Sequence, residues 1–239
     1  MFNKSYTIMA LALASLPVGA INIVTNGSFE NIGTATASFS INNPTVLPGW
    51  TATPSGNMIL DCLVRAGATA NLCGTAFGGG FTFWVNPGPS PDGGNYVAID
   101  GDPAYETALT QTLTGLTSGA QYTVSFWQAA AQQNGFTGAT TERWQVGFGS
   151  STQLTSIMNN ASHGAVGWNR QTLTFTASGA SQLLSFLAVG TPNGQPPFVL
   201  LDGVSVDQII GTPEPATFGM LGAALLGLPL IRRMRKKKS

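Results

Sequence analysis

The sequence predicts an all-β fold, a sandwich of two sheets packed face to face. No long stretch between residues 21 and 211 shows the 3.6-residue apolar period of a helix. Instead, short runs rich in Thr, Val, Ile and aromatic residues recur about every ten residues, separated by Gly, Pro, Asn and Ser clusters. In Tyr122-Thr-Val124-Ser-Phe126 apolar and small polar residues alternate, which predicts a strand with one buried face and one wet face. Two sheets packed together would bury such apolar stripes.

These criteria predict the strands in order along the chain, divided by turn-forming sequences. The glycine run 78–80 and the Pro/Gly-rich segment 87–94 cannot hold regular structure, and residues 115–119 supply a turn between two strands. About 190 residues of this kind are enough for one domain with a sizeable core. The predicted strands cover residues 21–24, 38–41, 58–64, 81–85, 96–99, 108–113, 121–130, 143–148, 169–177, 182–189 and 198–206.

The N-terminal end has the composition of a secretory signal peptide. Lys4 precedes an apolar run over residues 8–16, and small residues at 18–20 provide a peptidase site after Ala20. We therefore predict a signal-peptide helix over residues 1–20, with residues 21–211 as the folded domain. A strand at the N-terminus is the alternative, and the charge of Lys4 and the Ala/Leu composition disfavour it.

The C-terminal end predicts a single hydrophobic helix. Residues 216–231 carry no charge, and as a helix they would reach about 24 Å. This segment is slightly short for a bilayer, because a spanning helix usually needs about 20 apolar residues. The basic residues that follow would stay in the cytoplasm by the positive-inside rule. A core helix with a solvated basic tail is the alternative, but such a helix should show a polar face, which this segment lacks.

A short motif precedes this hydrophobic segment. Thr212 is followed by Pro213-Glu214-Pro215, then by the Gly/Ala/Leu-rich span and a basic cluster. These features in this order resemble the PEP-CTERM sorting signal of Gram-negative bacteria, although Thr212 stands where the common form has Val. The resemblance implies that residues 212–239 are read by an exosortase, with transient anchoring in the inner membrane before release to the cell surface or extracellular matrix. The sorting residues implied are Pro213, Glu214, Pro215, Arg232, Arg233 and Arg235.

The two ends carry most of the basic residues. Only Arg65, Arg143 and Arg170 of the ten Lys and Arg residues lie in residues 21–211, together with nine of the ten acidic residues. This part of the chain therefore has a net charge of −6. Nucleic-acid binding needs clustered Lys and Arg to neutralise phosphates, so no nucleic-acid partner is predicted.

Cys62 and Cys73 are the only cysteines of the chain. In an exported protein we expect them to form a disulfide, which would add about 3 kcal/mol of stability in the chain-entropy model. A zinc site is the alternative. It is disfavoured because the one histidine, His163, is far away in sequence and gives no recognisable ligand spacing.

Several short motifs occur in order along residues 21–211. They are Asn26-Gly27-Ser28-Phe29-Glu30, Leu47-Pro48-Gly49-Trp50, Gly94-Asn95-Tyr96-Val97-Ala98-Ile99-Asp100, the segment 113–127, and Leu200-Leu201-Asp202-Gly203-Val204-Ser205-Val206. In this order they resemble carbohydrate-binding modules of the galactose-binding-like type. The resemblance implies a jelly-roll β-sandwich whose first and last strands come together.

The same resemblance implies a structural calcium ion where those strands meet. Glu30 and Asp202 fall on the positions of its acidic ligands, and calcium prefers several hard oxygen ligands, many of them backbone carbonyls. The alternative is that Glu30 and Asp202 cap turns or accept hydrogen bonds from backbone amides.

Sugar binding in such modules depends on aromatic faces that stack on pyranose rings, with a few amide and carboxylate groups that fix hydroxyls. Trp127 shares a strand face with the polar Thr123 and Ser125, so it is the first candidate. Trp84 and Trp144 are further candidates, with Gln128 as a hydroxyl partner, joined by Gln132, Gln133 and Asn134. The alternative for each tryptophan is burial in the core, since tryptophan is highly buried on average.

One acidic cluster raises the question of catalysis. Two of Asp92, Asp100, Asp102 and Glu106 could serve as the carboxylate pair of a glycoside hydrolase, but Asp-Gly-Asp-Pro runs are more often solvated turns or ion ligands. The sequence has neither a Gly-x-Ser-x-Gly elbow nor a phosphate-binding glycine loop. We therefore predict an exported protein that binds glycan or exopolysaccharide without catalysis. A matrix or adhesion protein acting through protein contacts is the second hypothesis, and a hydrolase is the third.

Overall fold

The computed structural model describes residues 22–33, 47–54, 61–68, 81–105 and 107–210. The predicted signal peptide, the strand predicted at 38–41, Cys73, Glu106 and the whole segment 212–239 lie outside the described residues. Among the residues that are described, no helix is long and apolar enough to cross a membrane.

The described chain forms two antiparallel sheets. One has the strand order β1-β4-β10-β6-β7, with β8 also paired to β6, and the other has the order β2-β3-β11-β5-β9. From β3 to β6, and again from β9 to β11, successive strands alternate between the sheets. The strands are β1 Thr51–Pro54, β2 Asp61–Val64, β3 Tyr96–Asp100, β4 Thr107–Thr114, β5 Gln121–Gln132, β6 Thr140–Phe148, β7 Ser151–Leu154, β8 Met158–Asn160, β9 Ala165–Thr176, β10 Ser181–Thr191 and β11 Pro197–Gln208.

The prediction of an all-β sandwich is therefore confirmed, and no helix occurs within the five described ranges. Two strand predictions were wrong. Residues 22–24 are not a strand, and 81–85 makes only one isolated bridge, between Phe83 and Gln133. The short strands β1, β7 and β8 were missed because four or fewer residues give too little alternation to recognise.

Aromatic rings fill the space between the two sheets. Phe186 lies at the centre, with Phe126 at 5.0 Å and Trp144 at 6.0 Å in edge-to-face contacts, and all three side chains are almost completely buried. Along β10 every second residue from Gln182 to Gly190 is buried, as the period of a strand requires. The alternating stripes predicted from the sequence are thus satisfied by sheet-on-sheet packing.

The N-terminal segment lies against the last strand, β11. The Ile23 amide donates to the Val206 carbonyl at 3.1 Å, and the Val204 amide donates to the Gly27 carbonyl at 3.0 Å. A side chain at position 27 is excluded, because its Cβ would lie 2.0 Å from the Val204 carbonyl oxygen. A glycine at position 27 is thus needed for this close approach.

A second, smaller core covers part of the outer face of the sheet that contains β5. The rings of Phe81 and Phe83 pack on Phe198 at 4.4 Å and 5.4 Å, over the alanines and leucine that point outward from β5 and β11. This explains why the sequence of residues 81–85 predicts a strand that the structure does not contain. Its aromatic residues cover a sheet instead of extending it. No segment of the described residues packs on the other half of that outer face.

Candidate functional site

The uncovered half of this outer face, which we call the open face, is formed by three neighbouring strands. On β5 it presents Thr123, Ser125 and Trp127, and these residues lie opposite β9 and β11 residues in the hydrogen-bonded registers. Strand β9 is the edge of the sheet. Opposite these three β5 residues, β9 contributes Arg170, Thr172 and Thr174, and β11 contributes Asp202, Ser205 and Asp207.

Trp127 differs from the other four tryptophans of the chain. The indole N–H groups of Trp50, Trp84, Trp144 and Trp168 each donate to a backbone carbonyl, at 2.7–3.1 Å. The Trp127 indole N–H has no acceptor among the described residues, and the side chain is half-buried and belongs to neither core. A rigid aromatic group with an unused donor therefore stands on the open face.

Polar groups surround this ring. Arg170 lies directly opposite Trp127 on β9, and its Nη2 donates to the Ser125 hydroxyl at 3.2 Å. The Ser125 and Ser205 hydroxyls are 2.8 Å apart. These contacts hold the guanidinium and two hydroxyls beside the indole.

Asp92 lies on the other side of the ring. Gly203, in the β11 bulge, has a φ of 58°, and a Cβ there would meet both the Asp92 carboxyl carbon and the Trp127 ring at 3.0 Å. The glycine thus lets an exposed carboxylate and the indole come together over the backbone. The open face combines an aromatic surface, donors and an acceptor.

A group of carboxylates lies next to the open face. Asp202 is fully buried, and its Oδ1 accepts the Gly203 amide at 2.7 Å, whereas its Oδ2 has no hydrogen-bond partner. Burial raises the pKa of Asp202 from its ordinary 3.8 to about 7; the Ser90 hydroxyl and the Gly203 amide lower it, and nearby Asp92 and Glu30 raise it. The site therefore gathers negative charge around an unsatisfied oxygen.

The donors present suit a calcium ion only in part. Glu30 is exposed, and its carboxylate already accepts the Asn95 amide at 2.7 Å and the Asn95 side-chain nitrogen at 3.2 Å. Within the described ranges, no set of three or more His, Cys, Asp or Glu side chains is arranged to hold a metal. Glu30 and Asp202 could supply carboxylate oxygens, and backbone carbonyls or water would have to complete the shell.

Trp144 and Gln128, the two predicted sugar-binding residues on the inner side, are buried, and so is Gln132. Trp144 is 0% exposed in the core between the sheets, with its indole N–H bound to the Leu200 carbonyl, so it has no surface for a sugar. Gln128 is also 0% exposed; it points inward from β5 and donates to the Asn169 side chain and the Ser156 carbonyl. The three predictions were wrong because strand parity places these side chains between the sheets.

Trp84 is exposed but lies away from the open face. It is 38% exposed, its ring is 4.1 Å from that of His163, and its backbone amide donates to the Gln132 carbonyl, five residues along β5 from Trp127. Trp84, Trp127 and Trp144 therefore do not form one aromatic platform. Of the three, only Trp127 has polar partners on an open sheet.

The acidic residues considered for catalysis lie in different surroundings. Asp100 and Asp102 are buried and accept hydrogen bonds from the backbone amides of Asp102, Ala104 and Gly194, whereas Asp92 is exposed on a loop. Burial raises the pKa of Asp100 to about 7; the Asp102 amide lowers it and the Asp102 charge raises it. The two buried acids therefore organise a turn instead of facing a cleft.

The sequence reasoning missed Arg170 and Ser205. A signal for Arg170 was available, because Arg170-x-Thr172-x-Thr174 is a polar alternation on one strand face. Ser205 was hidden by the β11 bulge, which shifts the register after Asp202 and breaks the simple period of two. Cys62 is fully buried and is not a free thiol; because Cys73 is outside the described residues, the Cys62–Cys73 disulfide stays a prediction.

No protein-family model and no curated protein matches the sequence. Among solved structures, TmCBM61 in complex with β-1,4-galactotriose is 14% identical, covers 79% of this chain and 99% of its own, and has a TM-score of 0.45. The K2 cleaved adhesin domain of Lys-gingipain is 15% identical over 81% of this chain and 99% of its own, with a TM-score of 0.40. The CBM22-1 xylan-binding domain of Paenibacillus barcinonensis Xyn10C is 15% identical over 75% and 100%, with a TM-score of 0.36. Likeness at this level does not establish what this chain binds.

Proposed function

We propose that this protein is a jelly-roll sandwich that binds a glycan or exopolysaccharide on its open face, without catalysis. The observation that carries the proposal is Trp127, a half-buried tryptophan outside both cores whose indole N–H is left unused by the described residues. A side chain of this size and polarity is normally buried with its N–H satisfied. Its position on an uncovered sheet therefore points to a ligand.

The chemistry of the open face matches that of a sugar. The flat indole can pack against the C–H face of a pyranose ring, while its N–H and the Arg170 guanidinium donate to ring or hydroxyl oxygens. The Asp92 carboxylate can accept from a hydroxyl group. Because β9 is at the edge of the sheet among the described strands, a polysaccharide chain could extend across the open face on that side.

Affinity electrophoresis of the full-length protein tests this proposal. We expect retarded migration in gels that contain at least one soluble polysaccharide, from a panel of galactans, xylans, glucans and the exopolysaccharide of the producing bacterium. Assays of reducing ends on the same polysaccharides should show no release of sugar. Unchanged migration in every gel would overturn the proposal, and steady release of reducing ends would overturn its non-catalytic part.

We also propose that the protein is exported and then sorted to the cell surface or matrix. The support is the sequence alone: the signal-peptide pattern of residues 1–20 and the Pro213-Glu214-Pro215 motif ahead of a hydrophobic segment. An exosortase-type enzyme would be the partner that reads the motif. A surface location would expose the open face to extracellular polysaccharide.

We propose that calcium binds between the N-terminal segment and β11, with Glu30 and Asp202 among its ligands. The unpartnered Asp202 Oδ2, fully buried beside two other carboxylates, supports this. Calcium at about 100 times its Kd would stabilise the fold by about 2.7 kcal/mol. We expect the melting temperature to rise by about 5 °C or more with calcium and to fall back with a chelator.

Asp202→Asn should abolish this calcium response. Asp207→Asn is the matched control, since it removes one charge from the same strand on the open face and should keep the response. Equal melting curves of the native protein with and without calcium would contradict the calcium proposal, and so would a full response in Asp202→Asn.

A further inference from the structure

The chain contains three Asn-Gly dipeptides, Asn26-Gly27, Asn134-Gly135 and Asn193-Gly194, and all of them lie within the described residues. In such a dipeptide the glycine nitrogen can lose its proton to solvent base and bond to the asparagine carboxamide carbon, since glycine has no side chain to hinder the approach. The carboxamide nitrogen leaves as ammonia and a succinimide ring closes. Water then opens the ring to aspartate or isoaspartate. The fold decides which dipeptide reacts, because it holds each carboxamide and each glycine nitrogen differently.

At Asn26-Gly27 the carboxamide is held by three hydrogen bonds. Its nitrogen donates to the Asn31 carbonyl at 2.8 Å and to the Pro48 carbonyl at 3.0 Å, and its oxygen accepts the Asn31 amide at 3.0 Å. Gly27 itself is buried against the Val204 carbonyl. Reaction would break the bonds of the carboxamide, and the glycine nitrogen is shielded from solvent base. This dipeptide is therefore protected on both sides.

At Asn193-Gly194 the fold holds the glycine nitrogen instead. Both residues are exposed, but the Gly194 amide donates to Oδ2 of the buried Asp102. Loss of the amide proton would place a second negative charge beside this carboxylate, and like charges at hydrogen-bond distance repel strongly. The nitrogen would also give up its hydrogen bond. The reactive form of this glycine nitrogen is therefore disfavoured.

Asn134-Gly135 has neither protection. Both residues are exposed in the turn that follows β5. The Asn134 carboxamide and the Gly135 amide make no hydrogen bond with the described residues. Other atoms hold the turn: the Asn134 amide donates to the Thr82 carbonyl at 2.8 Å. The Phe136 amide donates to the Gln133 carbonyl at 3.4 Å. The two reacting groups are thus unbound and open to water.

We infer that Asn134 is a site of spontaneous deamidation in the folded protein, whereas Asn26 and Asn193 are spared. The inference goes beyond the proposed function, because no residue of the open face takes part. The aspartyl product adds a carboxylate to the turn. The isoaspartyl product adds a carboxylate and also lengthens the main chain by one carbon, since the chain then runs through the former side chain.

The same turn holds Trp84. The Trp84 indole N–H donates to the Phe136 carbonyl at 2.7 Å, and the Thr82 carbonyl accepts the Asn134 amide. The segment 81–85, which covers the smaller core, is therefore tied to the turn on both sides of the reactive bond. One more backbone carbon between the two ties would prevent both from keeping their geometry. The isoaspartyl form should therefore leave Trp84 more exposed to solvent.

Peptide mapping by mass spectrometry tests the inference on the full-length protein, aged in mildly alkaline buffer. The peptide that contains Asn134 should gain the mass of one deamidation, and a carboxyl-methylation assay specific for isoaspartate should label the same peptide. Quenching of tryptophan fluorescence by acrylamide should increase as the product accumulates. Asn134→Gln should abolish all three changes, because the longer glutamine side chain would have to close a larger ring. Asn193→Gln is the matched control and should leave them unchanged.

Ageing the protein in guanidinium chloride separates the effect of the fold from that of the sequence. All three dipeptides are exposed in the unfolded chain, so the peptides with Asn26 and Asn193 should then deamidate as well. An unmodified Asn134 in the aged folded protein would overturn the inference, and so would equal modification of Asn193 or Asn26. The same preference for Asn134 in guanidinium chloride would overturn it too, because the sequence alone would then set the order. Polysaccharide binding enters none of these measurements, so their outcome is independent of the proposed function.

Discussion

Replacing Trp127 by alanine is expected to weaken polysaccharide binding by at least about 30-fold, or about 2 kcal/mol, while leaving the sandwich folded. The loss follows because the indole supplies both the flat apolar surface and the unused N–H of the open face. The fold should survive because Trp127 belongs to neither core and contacts the β11 bulge at Gly203. The measurement is affinity electrophoresis or calorimetry with the best ligand of the panel, together with a thermal melt of each variant.

Trp84→Ala is the matched control for this experiment. Like Trp127, Trp84 lies outside both cores, but it is 38% exposed, its indole N–H is already bound to the Phe136 carbonyl and its ring lies against His163. We expect this variant to bind polysaccharide within about twofold of the native protein. Binding that is lost in Trp84→Ala and kept in Trp127→Ala would move the site to the other end of β5 and contradict the assignment of the open face.

The outward direction of Trp127 could be predicted from the sequence, whereas the burial of its neighbour Gln128 could not. The alternation Tyr122-x-Val124-x-Phe126 fixes the inner face of β5, so Thr123, Ser125 and Trp127 must share the outer one. The same parity puts Gln128 inside, although polar residues are usually outside. Its burial depends on polar partners from β9 and the segment before β8, which periodicity within one strand cannot reveal.

For Trp144, the alternation along its own strand gave conflicting signals about burial. Its strand alternates Glu142-x-Trp144-x-Val146-x-Phe148, and the apolar members predict an inward tryptophan, but Glu142 on the same face argues against a buried stripe. The structure resolves the conflict by burying all four side chains. The coverage of half an outer face by the segment 81–85 was equally unpredictable, because the contact between Phe81 and Phe198 joins residues more than a hundred positions apart.

Glu142 is a buried acid whose replacement should change the pH dependence of stability. It is 0% exposed; its Oε1 accepts the Thr140 hydroxyl, and its Oε2 has no hydrogen-bond partner. Burial raises its pKa from the ordinary 4.5 to about 7, while Thr140 and the nearby Asn160 side chain lower it. Because the native state holds the proton more tightly than the unfolded chain, this group makes the fold less stable as pH rises from about 4.5 to about 7. Above about pH 7, the full loss of stability caused by the buried Glu142 carboxylate is present.

Glu142→Gln should therefore stabilise the protein above pH 7 by about 3 kcal/mol and have little effect near pH 4.5. Glutamine keeps the acceptor for Thr140, and its amide can donate to the Asn160 side-chain oxygen, which has no partner in the native protein. Urea unfolding of both proteins at pH 4.5, 6, 7.5 and 8.5 measures the difference. Asp207→Asn removes a half-buried charge and controls for net charge, so equal stabilisation by both substitutions would show general repulsion in a domain of net charge −6. A constant difference between the native protein and Glu142→Gln at all four pH values would mean that the carboxyl does not titrate as its burial requires.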